Sequence, residues 1–412
     1  EVSFHLVTGR KNVIWRGWQA VVTNLTAGPF QKLRLRTYRR ICALAERGIS
    51  RLVKYENITV RYDSHTVVEN FSLEIHKGEI LGIVGPSGCG KTTLVRALGG
   101  FLNPDQGEIY INNELVYSKT RRINRPPEAR KLGIVFQDYA VWPHLSVWDN
   151  VMYPLKKRRV PKEKAGEMVK HALEQVQMKG YEKYMPAQLS GGQQQRVAIA
   201  RALTCSNELV IMDEPITNLD AKLREGMLEE IRALQQRLNT TIIYITHDQE
   251  AALQLCDRVV IMEPSGRISQ IGTDEEIIEH PANRFVFSFI GVSNFIPVAQ
   301  KDGKYYLWQA QEALCYASQM PKGYLEGRKN VMGVRPMDIV FDDDSPVKGV
   351  ITQAVFLGSM YNFFVRVNDI ELRVQRSTLD SLDGREYREG ETVGLRFLNE
   401  KYYEAEESEA SA

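Results

Sequence analysis

A short apolar run, Ile80–Val84, passes directly into Gly85-Pro86-Ser87-Gly88-Cys89-Gly90-Lys91-Thr92-Thr93 and then into an apolar-periodic segment over Leu94–Leu98. Strand, glycine-rich turn and helix in immediate succession constrain this chain more than any other stretch of it. Glycines let consecutive backbone N–H groups turn toward one anion, and the following helix adds the positive end of its dipole. Lys91 then reaches the β- and γ-phosphates of a nucleotide, and the Thr92 hydroxyl ligates Mg²⁺. Such a site needs a second, acidic element, and Leu209-Val210-Ile211-Met212-Asp213-Glu214 supplies it. It reads as a buried strand delivering two carboxylates at its C-terminal end, where open α/β sheets bind ligands. Asp213 is expected to hold Mg²⁺ through water and Glu214 to polarise the attacking water. The metal relieves the repulsion between the adjacent charges.

The flanking pattern is that of an α/β protein. Ile58, Val60 and Tyr62 alternate with polar partners, as do Phe71, Leu73 and Ile75, and residues 107–113 read as a strand ending in an Asn112-Asn113 turn. These predict an antiparallel sheet. Continuous apolar runs follow at Ile80–Val84, Leu132–Phe136, Leu209–Met212, Thr241–Ile245 and Val259–Met262, as expected of strands covered on both faces in a mostly parallel sheet. Residues 146–203 carry helical spacing and read as a helical subdomain inserted into that core. We place an ATPase domain at 53–297, a β-rich accessory domain at 298–405 and an acidic tail at 406–412, within the two to four domains that 412 residues accommodate. In the accessory part Phe363, Val365 and Val367, then Asn368-Asp369, then Ile370, Leu372 and Val374 predict a hairpin with a two-residue turn.

Charge is unevenly distributed. Residues 1–52 hold ten Lys/Arg against Glu1 and Glu46, a net +8, whereas 53–412 carry 43 basic and 49 acidic side chains. Gln31–Ile49 has the spacing of a basic amphipathic helix, which suits a membrane-surface or nucleic-acid contact. The reading we prefer is an extension outside the ATPase domain with no part in it, dispensable for hydrolysis. The acidic balance of the remainder argues against a nucleic-acid surface. No eighteen consecutive residues are apolar, so the chain is not expected to cross a bilayer by itself. Cys42, Cys89, Cys205, Cys256 and Cys315 are scattered without a CxxC pair, which disfavours disulfides and zinc.

The motif Leu189-Ser190-Gly191-Gly192-Gln193-Gln194-Gln195-Arg196 opens an apolar-periodic helix ahead of the strand bearing Asp213. A serine hydroxyl and glycine N–H groups at a helix start make a second anion cradle. With it, residues 53–405 resemble the nucleotide-binding subunits of ABC transporters, whose signature is LSGGQ. The resemblance implies a P-loop NTPase cassette with a RecA-like core, an antiparallel β subdomain and the inserted helical subdomain, followed by an OB-like accessory domain. It also implies an ATP-hydrolysing enzyme using ATP and Mg²⁺. Position by position, Gln137 resembles the glutamine that contacts Mg²⁺ and the water, and His247 the histidine that holds the γ-phosphate. Thr217-Asn218-Leu219-Asp220 resembles the loop that crosses the dimer interface, although the family more often has serine at the place of Thr217. Tyr62 matches the aromatic that stacks on adenine.

One chain has one phosphate loop and one signature. If both cradles bind the same ATP, two copies must meet head to tail, Lys91 of one and Ser190 of the other on one nucleotide. The segment 138–150 is dense in aromatics, with Trp142 and Trp148, and suits a groove for a helix of a membrane subunit; the resemblance implies the same. Expected partners are therefore a second copy of the chain, two transmembrane permease subunits and, indirectly, a solute-binding protein, at the cytoplasmic face of the cell membrane. Gly333-Val334-Arg335-Pro336 and Leu357-Gly358-Ser359 resemble motifs of importer accessory domains for sugars, iron and polyamines. Ile290-Gly291 with Asn294 and Pro297 leans toward the iron and polyamine branches. The alternative is a non-transport ABC ATPase of DNA repair or translation, which commonly carries two cassettes or long coiled-coil insertions; neither is visible in the sequence.

Overall fold

The computed structural model describes residues 50–63, 65–216, 221–308, 313–378 and 386–405, so the basic helix expected within 1–49 and the acidic tail lie outside the described residues. In chain order the first elements are β1 (Arg51–Tyr62), β2 (His65–His76), β3 (Ile80–Val84), α1 (Lys91–Gly99), β4 (Gln106–Ile111), β5 (Glu114–Ser118), β6 (Ile123–Asn124) and β7 (Gly133–Val135). Then come α2 (Val147–Lys157), α3 (Lys162–Gln175), α4 (Gly191–Cys205), β8 (Leu209–Asp213), α5 (Ala221–Leu238), β9 (Thr241–Thr246), α6 (Gln249–Leu255), β10 (Arg258–Met262), β11 (Ile268–Gly272), α7 (Asp274–Glu279) and α8 (Arg284–Phe289).

Two sheets build the ATPase part. The antiparallel one runs β2-β1-β4-β5-β6, and its β4–β5 hairpin closes through Asn112 and Asn113, both at positive φ (52° and 63°), as a two-residue turn matching strand twist requires. The other runs β11-β10-β3-β9-β8-β7, parallel except for β11. Alternation within each apolar run explains why the runs are continuous. Leu81, Ile83, Leu209, Ile211, Ile243 and Ile245 face a core shared with α1 and the antiparallel sheet, while Ile80, Val84, Val210, Met212, Ile242 and Tyr244 face the core under α4, α5 and α6. The strands β3, β8, β9 and β10 are buried on both faces, as parallel sheets require. The helices α2, α3 and α4 fill the stretch between β7 and β8. Contact between this helical layer and the sheet is close, because a Cβ on Gly133 of β7 would stand 2.4 Å from the Ala202 carbonyl oxygen of α4. Only glycine lets the two backbones approach that far.

At the N-terminal ends of β3 and β10 sits a small charge cluster. Glu79, fully buried, accepts from the His76 backbone N–H at 2.6 Å and lies 3.3 Å from the Arg258 guanidinium, while Asp257 pairs with Arg232 at 2.8 Å.

The accessory part comprises β12 (Asn294–Lys301), β13 (Lys304–Trp308), β14 (Ala313–Ala317), β15 (Asn330–Val334), β16 (Ile339–Phe341), β17 (Lys348–Phe356), β18 (Met360–Val367), β19 (Ile370–Ser377), β20 (Thr392–Phe397) and β21 (Lys401–Glu404). They form two five-stranded sheets, β14-β13-β12-β15-β21 and β16-β20-β17-β18-β19, around one apolar core. The expected hairpin is β18–β19, with Val367 opposite Ile370 and Asn368 at φ 52°. Two borders differ from the expected ones. Arg51 and Leu52 already belong to β1, where Leu52 is buried, and the 297/298 border falls inside β12, which pairs with β13 and β15 from Asn294 onward. Strand pairing extends past the positions where side-chain alternation becomes visible.

Arg335 joins the two parts. Its guanidinium donates to the Gly291 carbonyl (3.0 Å), the Val292 carbonyl (3.2 Å) and the Ser293 hydroxyl (2.7 Å), and stacks 4.1 Å from the Phe287 ring centre. The Gly291 N–H in turn donates to the Gln249 side-chain oxygen at 3.2 Å, at the start of α6. The described cysteines Cys89, Cys205, Cys256 and Cys315 are free thiols, and no described helix is long and apolar enough to span a membrane.

Candidate active site

Parallel register decides which residues meet. Val84 at the end of β3 lies beside Thr246 of β9, and Ile245 of β9 beside Asp213 of β8, so the turns after three adjacent strands emerge together. These turns carry the glycine loop, Asp213-Glu214 and His247.

The loop has the properties of an anion cradle. Gly88 and Gly90 sit at φ 85° and 97°, conformations that turn successive N–H groups inward and that favour glycine. No side chain caps α1, and its first turn holds no acidic residue, so the helix start keeps its donors and its positive end. Lys91 is buried, with its ammonium bonded to the Gly85 and Pro86 carbonyl oxygens at 2.7 and 3.0 Å and, among the described residues, no direct carboxylate partner. A buried cation among neutral dipoles at a helix start calls for an anion. Pro86 is half-buried, Ser87 and Thr92 are exposed, and Cys89 and Thr93 are buried supports of the loop. Burial pushes the Cys89 thiol up despite Lys91 beside it.

The Thr92 hydroxyl lies beside Asp213 and favours its charged form. Burial first, and the Glu214 charge second, raise its carboxyl above the usual range, while Lys91 and Arg96 act in the opposite sense. A carboxylate and a hydroxyl side by side are hard oxygen donors, and this set fits Mg²⁺. Glu214 adopts φ 49°, a left-handed conformation that costs a non-glycine residue roughly 1–2 kcal/mol. Its N–H continues the ladder to Ile245 O at 2.8 Å, and its carboxylate reaches His247 Nδ1 at 3.2 Å. Strain of this kind concentrates where a side chain must be aimed. The Glu214–His247 contact is not legible in sequence; it follows from the register of β8 against β9. Gln137, exposed, leaves β7 next to β8 at the same end of the sheet. Tyr62 ends β1 with 45% of its surface exposed.

The signature stands elsewhere in this chain. Ser190 caps α4 in a reciprocal box, its Oγ accepting from Gln193 N (3.3 Å) while Gln193 Oε1 accepts from Ser190 N (2.9 Å), with Gly191 and Gly192 forming the first turn. Among the described residues no hydrogen bond or ion pair joins 190–193 to 85–93. Asp220, with the rest of 217–220, lies outside the described residues.

The aromatic segment is less open than the sequence suggests. Trp148 is half-buried against the core below α2, and Trp142 is half-buried between Tyr153 (ring centres 4.4 Å apart) and the Arg201 guanidinium (4.7 Å). Exposed rings nearby include Phe136, Tyr153 and Tyr184, whose carbonyl accepts from Val147 N at 2.9 Å. Two polar residues that the sequence gives no sign of hold this segment. Asn150, fully buried, accepts from Trp142 N (2.9 Å) and donates to the carbonyls of Trp142, Leu145 and Ser146 at 3.0–3.2 Å. Arg201 donates to the Ala140 and Tyr139 carbonyls at 2.5 and 2.9 Å.

Comparison with known proteins gives matching assignments. The family model described as ABC transporter matches residues 68–217, and that described as TOBE domain matches 332–402. The chain is similar to the spermidine/putrescine import ATP-binding protein PotA of Marinobacter nauticus, 38% identical over 355 residues that cover 84% of this chain and 93% of the relative. It is also similar to the Fe(3+) ions import ATP-binding protein FbpC of Escherichia coli, 37% identical over 339 residues covering 81% and 94%. Among solved structures it resembles cbiO1 of Clostridium perfringens, part of the ABC transporter complex cbiONQ, with TM-score 0.50 and 29% identity over 55% of this chain and 90% of that one.

Proposed function

The chain belongs to the ABC transporter family of ATP-binding import proteins, and on that premise we propose that it hydrolyses ATP to drive uptake of a small cationic solute, a polyamine or ferric iron, through a pair of membrane permease subunits. The relatives named for spermidine/putrescine and for Fe(3+) support the cationic class. The observation that carries the hydrolytic reading is the meeting of the Glu214 carboxylate and the His247 imidazole at 3.2 Å, one strand over from the Lys91 loop.

In this reading the loop N–H groups of 85–93 and the Lys91 ammonium bind the β- and γ-phosphates, and Tyr62 stacks on adenine. Glu214 takes the proton of the attacking water while His247 orients the γ-phosphate, and Gln137 places the water. Thr92, Asp213 and Gln137 would hold Mg²⁺, which supplies charge neutralisation at the phosphate oxygens when bound. Preorganised charge from the loop and Lys91 contributes most of the rate, because it is fixed before charge develops. Ser190, Gly191, Gly192, Gln193 and Asp220 act on the nucleotide of a second copy, in a head-to-tail dimer whose closure ATP favours. Segment 138–150 meets the permease on the cytoplasmic face, where the chain is a peripheral subunit, and a solute-binding protein delivers the cargo.

Glu214→Gln is the test. The variant should bind MgATP with wild-type affinity, hydrolyse it about 10²–10⁴-fold more slowly and accumulate as an ATP-dependent dimer in gel filtration. Unchanged steady-state turnover would remove Glu214 from the chemistry.

A further inference from the structure

The backbone after Gln137 adopts a conformation that its residue types disfavour. Tyr139 and Ala140 both lie at positive φ, 60° and 44°, and neither is glycine or asparagine. Two consecutive left-handed L-residues persist only where surrounding groups over-determine them. The carbonyls of this pair turn to one side, and the Arg201 fork meets both, Nη1 on Ala140 and Nη2 on Tyr139. Arg201 is 7% exposed and comes from α4, the helix whose first turn carries Ser190 and Gly191. Downstream, the four bonds of Asn150 fix residues 142–146, so the segment is clamped at two points by two buried side chains.

We propose that Arg201 is a positioning residue for hydrolysis: by holding the Tyr139-Ala140 turn it sets the exposed Gln137 side chain two residues upstream, and it ties that setting to the signature helix. The proposal rests on Gln137 being a site residue. From Ser190 to Arg201 the helix is a rigid rod of about 16 Å at 1.5 Å per residue, so a shift of its first turn reaches the clamp undiminished. The same guanidinium stacks on Trp142, which places the outer aromatic segment under the same control. The planar fork presents its two N–H groups in a fixed relative direction, which an ammonium on a flexible stem does not.

The experiment is a double-mutant cycle on ATP hydrolysis by the full chain, with Gln137→Ala, Arg201→Lys and both together, and with melting temperature recorded for each. Arg201→Lys should keep KM for ATP within about twofold and lose kcat about tenfold, and the double variant should lose no more than Gln137→Ala alone. Ala140→Gly added to Arg201→Lys should restore part of kcat, because glycine takes this φ unaided. Wild-type kcat per folded molecule in Arg201→Lys, or losses that multiply in the double variant, would overturn the proposal while leaving Gln137 in the site. Wild-type kcat in Gln137→Ala would instead remove Gln137 from the site and the proposal with it. If Arg201→Lys alone does not fold, the cycle is run in the Ala140→Gly background, where non-additive losses support the proposal and multiplied losses refute it.

Discussion

At the scale of single residues, much depends on a few buried polar groups satisfied by backbone. Asn150 is the clearest, because its fully buried amide uses both sides of its hydrogen-bonding capacity. Asn150→Ala is expected to destabilise the fold by about 1–3 kcal/mol in denaturant titration. Asn150→Asp should cost more, since a carboxylate would face three carbonyl oxygens. Equal stability of Asp and Asn at this position would contradict the assigned bonding. Residues of this kind are invisible in sequence. The nine residues of the phosphate loop are contiguous, so their joint chemistry can be read directly, but Arg201 meets carbonyls 61 and 62 positions away and resembles any polar residue on an amphipathic helix. Glu214 lies between these cases. Its identity was legible beside Asp213, whereas its left-handed turn toward His247 depends on a neighbouring strand.

Among elements, the parallel sheet has two chemically opposite ends. The C-terminal end gathers the residues proposed to bind nucleotide, and the N-terminal end holds Glu79 beside Arg258 and Asp257. Burial outweighs the Arg258 charge and pushes the Glu79 carboxyl up to about 7, from an ordinary 4.5. Across that window the folded chain holds a proton that the unfolded chain has lost, so the contribution of Glu79 to stability falls as pH rises from about 4.5 through about 7. Melting temperatures of Glu79→Gln and wild type should therefore diverge with pH, the variant gaining on the wild type between pH 5 and 8. A constant difference would show that Glu79 does not titrate there. The strands themselves were legible because each apolar run is covered on both faces. Their register was not, and register brings 213–214 beside 245–247.

For the whole molecule, the accessory domain adds a third core, attached through Arg335 and through Phe287, which packs on Phe295 and Tyr403. The place of Arg335 in a Gly-Val-Arg-Pro motif marked it in the sequence, although the motif alone does not reveal the three acceptors at 291–293. Arg335→Ala should weaken docking by about 2–4 kcal/mol, summing lost hydrogen bonds and the stack on Phe287. Calorimetry would register this as the accessory core melting ahead of the ATPase core, with hydrolysis retained at temperatures below both. A single unshifted transition would place the attachment elsewhere. Gly291 is gripped twice, at its N–H by Gln249, two positions after His247, and at its carbonyl by Arg335. This glycine thus links the two parts through both sides of its peptide backbone. A rotation of the turn at His247 strains a bond held by the accessory lobe, and a twist of that lobe is felt two residues from the histidine proposed to orient the γ-phosphate.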